Sequence, residues 1–148
     1  MANQSYNEGI ILMAFENVQR GTYAVGDREI YFRSKWEVNY ALYLQWLKEQ
    51  GQIKDWIYEP KPRYEFITYE FSDKNKERPK VLGLGYLPDF KVINNDDTFY
   101  LVEVKGYKQG MVKLKRMKKM YPDIRIELIE AGDIKELQNK VGKLLNFY

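Results

Sequence analysis

The chain has 148 residues, 45% hydrophobic and 30% charged, with no cysteine and no histidine, enough for one globular domain and too few for two ordinary ones. The missing residue types exclude disulfides, zinc fingers, cysteine nucleophiles, Ser-His-Asp triads and any nuclease that needs a histidine base. With 24 basic and 21 acidic side chains the net charge is only +3, so the placement of charge carries more information than its sum.

No apolar run approaches the length of a membrane span, and the opening residues lack a signal-peptide pattern, so a cytoplasmic location is expected. Residues 1–19 are hard to place, because Ile10-Ile11-Leu12-Met13-Ala14-Phe15 suits a strand or a helical turn equally. Thr22-Tyr23-Ala24-Val25, bracketed by Gly21 and Gly26, reads as a strand leading through Asp27-Arg28-Glu29 to Ile30-Tyr31-Phe32. Residues 1–31 are therefore expected to form an N-terminal hairpin or arm.

Residues 33–50 give the clearest helix. Ser34 with Glu37 three positions on makes a capping box, and Gly51 supplies the stop. Trp36, Tyr40, Tyr43, Leu44 and Leu47 share one face, while Val38, Leu42 and Trp46 add apolar surface on the other. A helix apolar on two sides is buried from two directions, which points to a subunit interface in so small a domain.

Residues 53–59 read as a strand closed by Pro60 and Pro62, and residues 64–71 alternate as a strand with one wet face. Residues 72–80 are charged and turn-rich, the pattern of a solvated loop. Leu82-Gly83-Leu84-Gly85 then leads into the central motif.

Residues 86–93 read as a strand with Pro88 at its start, Asn94-Asn95-Asp96-Asp97 is turn chemistry, and residues 99–104 alternate as a second strand. The expected antiparallel hairpin brings Asp89 near Glu103. Glu103 and Lys105, two apart, share a strand face. Two carboxylates so placed repel, and burial sharpens the repulsion. A hard divalent cation relieves it through oxygen ligands, and leaves the lysine to orient a water or stabilise charge on a phosphate. The plain alternative is a structural hairpin in which Glu103 and Lys105 make a weak surface pair.

Residues 107–121 hold Lys108, Lys113, Lys115, Arg116, Lys118 and Lys119 with no acid among them, over an apolar stripe of Met111, Leu114, Met117 and Met120 at helical spacing. A run of one sign beside the motif suits neutralisation of a phosphate backbone. Residues 124–129 alternate as another strand. Asp133 is expected to cap a last helix reaching about Phe147, with Ile134, Leu137, Val141, Leu144 and Leu145 on one face.

The sequence Pro88-Asp89 … Glu103-Val104-Lys105-Gly106 resembles the signature of the PD-(D/E)xK nuclease superfamily. Arg33-Ser34-Lys35-Trp36-Glu37 is similar to the segment that opens the first catalytic helix in the phage endonuclease I family of Holliday-junction resolvases, with Phe32 in the aromatic place. The resemblance covers about residues 32–128. It implies a single α/β domain with a restriction-endonuclease-like core, a mixed β-sheet flanked by helices. It also implies Mg2+, replaceable by Mn2+, held by Asp89, Glu103 and the Val104 carbonyl, with Glu37 completing a second site and Lys105 positioning the attacking water. Glu37 is equally accounted for by the capping box, and the two roles are compatible.

On this reading Arg33, Lys35, Lys108, Lys113, Lys115, Arg116 and Lys119 contact the nucleic acid. The product carries a 5′-phosphate, and a homodimer of phage type cuts branched DNA symmetrically. A nuclease of the same superfamily acting on duplex or single-stranded DNA, and a DNA-binding module without catalysis, are the alternatives.

Overall fold

The structure, a computed structural model, describes residues 19–71, 77–81, 85–104 and 111–148. Its elements are β1 (Gly21–Val25), β2 (Arg28–Phe32), α1 (Lys35–Glu49), β3 (Asp55–Tyr58), β4 (Ile67–Phe71), β5 (Glu77–Val81), β6 (Phe90–Ile93), β7 (Phe99–Val104), α2 (Met111–Met120), β8 (Ile126–Ile129) and α3 (Ala131–Val141). The apolar run at residues 10–15 and the glycine-rich residues 82–84 lie outside the described residues.

The centre is a mixed four-stranded sheet in the order β3-β6-β7-β8. Strand β6 pairs antiparallel with both β3 and β7, and β8 runs parallel to β7. A parallel pair needs a crossover, and α2 supplies it between β7 and β8. The β6–β7 turn forms as its residues demand: Asn94 N–H donates to the Thr98 carbonyl at 2.8 Å and Asp97 adopts φ 67°, a conformation aspartate tolerates better than most residues.

Neighbouring residues on β7 face opposite ways and serve two cores. Val102 packs with Phe90, Trp56, Tyr40, Val38 and Phe32 on the α1 side, which also receives Ile134 of α3. Leu101 packs with Leu114 and Met117 of α2, Phe66 and Tyr86 on the other. The apolar stripe of α2 thus faces the sheet, while Lys113, Lys115, Arg116, Lys118 and Lys119 are exposed. Among the described residues, no helix is long and apolar enough to cross a membrane.

Helix α1 starts as its capping pattern requires. Ser34 Oγ accepts from Glu37 N–H at 3.2 Å, and the Glu37 carboxylate accepts from Arg33 N–H at 3.1 Å. Ser34→Ala is expected to cost about 1 kcal/mol in chemical denaturation. Part of the apolar surface of α1 is met within the chain, while Leu42, Tyr43, Trp46 and Leu47 stay half-buried. The β1–β2 hairpin contributes Val25 and Phe32 and the sheet contributes Trp56, Phe90 and Val92 to the core around Val38, Ala41 and Leu44. The buried Asn39 is satisfied by a distant backbone, donating to the Tyr148 carbonyl at 3.1 Å and accepting from Tyr148 N–H at 2.8 Å.

Three expected boundaries are corrected. Residues 77–80, expected as part of a loop, belong to β5, which pairs antiparallel with β4 in a separate two-stranded sheet. Pairing overrides the charged composition, and a two-stranded ribbon leaves each strand a free edge where Pro79 can lack its N–H without losing a ladder bond. The strand expected over residues 86–93 begins at Phe90, because Tyr86 bridges Tyr64 rather than β7. Asp133 is the third residue of α3 and not its cap. It accepts from Glu130 N–H at 2.9 Å in a capping box whose N-cap is Glu130, and the helix ends at Val141.

Candidate functional site

The β6–β7 register sets the site. Phe90 pairs with Val102, so Asp89, one residue before β6, stands opposite Glu103. Asp89 Oδ2 accepts from Val104 N–H at 2.7 Å, fixing that carboxylate against β7. Glu103 is only 5% exposed, and Tyr86 Oη–H donates to its Oε2 at 2.7 Å. From α1, Glu37 reaches the same place; it is buried and accepts from Tyr58 Oη–H at 3.0 Å. Next to Asp89, the buried Phe90 packs with its ring centroid 5.3 Å from Tyr58 and 5.5 Å from Tyr40.

These groups open into one cavity of about 410 Å3 lined by Glu37, Glu59, Asp89, Glu103, Val104, Tyr86 and Gly85, with Arg33, Arg63 and Lys113 as its cations. Arg33 Nε lies 3.0 Å from Glu59 Oε1. Glu59 takes a left-handed conformation, φ 46°, and its N–H donates to the Asp89 carbonyl at 2.8 Å, tying β3 to the start of β6. A more open hollow of about 460 Å3 between α1, β8 and α3 also gathers acids. All three are already engaged, Asp133 in the α3 capping box, Glu136 with Lys140 and Glu127 with Arg125.

Burial pushes the Glu37 carboxyl above its ordinary range, against the hydrogen bonds from Tyr58, the Arg33 backbone and Asp89, and with the Glu59 charge adding to the rise. The Tyr58 and Tyr86 hydroxyls are pushed up first by burial and then by the carboxylates they serve, Glu37 and Glu103, so both remain donors at neutral pH. A carboxyl whose folded pKa is raised binds its proton more tightly in the native state. Glu37 therefore subtracts stability as pH rises past the unfolded value. Glu37→Gln keeps an acceptor for Tyr58, and is expected to raise the melting temperature at pH 7 in chelator. That gain should disappear below about pH 4, where the native carboxyl is already protonated.

The donor set is oxygen only: three carboxylates and the Val104 carbonyl, the chemistry a hard divalent cation takes. Among the described residues no three acidic groups yet stand together at metal-ligand spacing, so Glu37, Asp89 and Glu103 would have to draw closer around an ion. Of the residues singled out from the sequence, Glu37, Asp89, Glu103, Val104, Arg33 and Lys113 share the cavity. Lys35, Lys115, Arg116 and Lys119 do not line it, although the last three extend the exposed basic face of α2. Lys105 and Lys108 lie outside the described residues. Sequence reasoning missed Tyr58, Tyr86 and Arg63. The tyrosines read as ordinary core aromatics, and only the fold shows which hydroxyl meets which carboxylate.

Residues 22–136 match a family model described as "Protein of unknown function (DUF1064)". No curated protein and no solved structure matches the chain.

Proposed function

Because the chain belongs to the DUF1064 family, whose description assigns no activity, we propose a function from the site itself: a metal-dependent endonuclease of the PD-(D/E)xK type. The observation that carries this reading is the β6–β7 register, which sets Asp89 opposite the buried Glu103 in a cavity that Glu37 also enters. The order α1-β3-β6-β7-α2-β8, with three antiparallel strands and one parallel strand reached by a crossover helix, supports a restriction-endonuclease-like core.

In this reading Asp89, Glu103 and the Val104 carbonyl hold Mg2+ or Mn2+, and Glu37 completes a second position. When bound, the cation supplies Lewis-acid charge at the scissile phosphate and lowers the pKa of a water. Tyr86 and Tyr58 hold the Glu103 and Glu37 carboxylates in place by their hydroxyl protons. Lys105 orients the attacking water, a role that rests on the sequence resemblance. The basic face of α2 takes the neighbouring phosphates. Hydrolysis leaves a 5′-phosphate.

Branched DNA is the proposed substrate, cut by a homodimer whose two-fold axis matches that of a four-way junction. The test places a labelled junction beside the matching linear duplex, in magnesium and in chelator. Symmetric nicks in the junction alone, lost with chelator, support the resolvase. Cutting of both DNAs removes the junction preference and keeps the nuclease. Binding without cutting removes the enzyme and leaves a DNA-binding module.

A further inference from the structure

We propose that Arg63 and Lys113 form a two-armed clamp that grips one backbone phosphate at the mouth of the carboxylate cavity; this deepens the nuclease reading and rests on it. The two residues come from separate parts of the fold, Arg63 from the segment between β3 and β4 and Lys113 from the first turn of α2, yet they line the same cavity.

Their backbones are anchored and their side chains are exposed. Beside Arg63, Tyr64 and Tyr86 exchange backbone hydrogen bonds, both 2.7 Å. Lys113 precedes Leu114, which is 1% exposed in the core beneath α2.

The cavity holds four carboxylates, Glu37, Glu59, Asp89 and Glu103. Cations placed there only to neutralise acids would close onto them, as Arg33 does onto Glu59. Among the described residues, Arg63 and Lys113 form no ion pair. They stand ready for an anion from outside.

A phosphodiester approaching four carboxylates meets a repulsive field that a cation in the cavity offsets only in part. Its outward oxygens need donors of their own. The planar fork of an arginine grips two oxygens and a lysine contributes a point charge, a pairing that suits a phosphate rather than a base edge. Arg33 adds a third donor when the incoming phosphate displaces Glu59.

The test compares Arg63→Gln/Lys113→Gln with a charge-matched control, Lys135→Gln/Lys143→Gln, whose side chains are exposed on α3 and just beyond it, off the cavity. Single-turnover cleavage at saturating enzyme and fluorescence-anisotropy binding are measured on the same labelled junction. The clamp variant is expected to cut about 100-fold more slowly at saturation, the scale of a lost phosphate-positioning contact, while the control keeps the parent rate. Arg63→Lys in an otherwise native chain should recover part of the loss seen in Arg63→Gln. A clamp variant that cuts like the control overturns the proposal. If the native protein cuts no DNA, the nuclease reading fails while the clamp is still decided by affinity. A loss at least about 10-fold larger than the control's then upholds it, and equal losses overturn it.

Discussion

Glu103→Gln is expected to lower magnesium-dependent strand cleavage by roughly 1000-fold or more, because groups that merely orient metal ligands already cost about 10–100-fold when lost. The substitution removes one negative charge from the point where Asp89 and Glu103 face each other across the β6–β7 pairing. It leaves an amide oxygen to accept the Tyr86 hydroxyl that now meets Oε2 at 2.7 Å. The fold should therefore stay within about 1 kcal/mol of the parent in chemical denaturation. DNA binding should persist, since the exposed basic face of α2 is unchanged. Parent-like cleavage by a folded variant would remove Glu103 from the site.

Gly85→Ala should damage stability and activity together. Gly85 sits at φ +74°, and a Cβ there would lie 2.2 Å from the Tyr64 carbonyl oxygen. Tyr64 is pinned by its paired bonds to Tyr86, so the obstacle is backbone and cannot rotate aside. The left-handed conformation costs alanine about 1–2 kcal/mol, and forcing the bridge open adds about 1–3 kcal/mol. A total near 3 kcal/mol is expected in urea denaturation. Because Tyr86 carries the hydroxyl that holds Glu103, displacing the bridge also releases a proposed ligand, and cleavage should fall even at temperatures where the variant is folded. A variant matching the parent in both measurements would show that the close approach is dispensable.

Local chemistry made the central parts legible. The turn Asn94-Asn95-Asp96-Asp97 and the alternation after it announced the hairpin that sets Asp89 against Glu103. The Ser34–Glu37 spacing announced the start of α1, and the same spacing placed Glu37 on its first turn.

What failed to show in the sequence depends on distant pairing. Strand β5 is charged and contains Pro79, and only its partner β4 makes it a strand. The packing of Val25 and Phe32 from the β1–β2 hairpin against α1 joins residues that no local pattern connects. Glu130 is an unusual cap that works because Asp133 reciprocates. Arg63 follows a proline-rich stretch with no local signal, and becomes notable only when the Tyr64–Tyr86 bridge holds that segment beside the cavity.

The most direct test of the account is cleavage by the native protein itself, using four-way, duplex and single-stranded DNA labelled at one end, in Mg2+ or Mn2+ against chelator. The account predicts nicks that require the cation and leave 5′-phosphate ends. Tight binding to these DNAs with no cutting in either metal would contradict it.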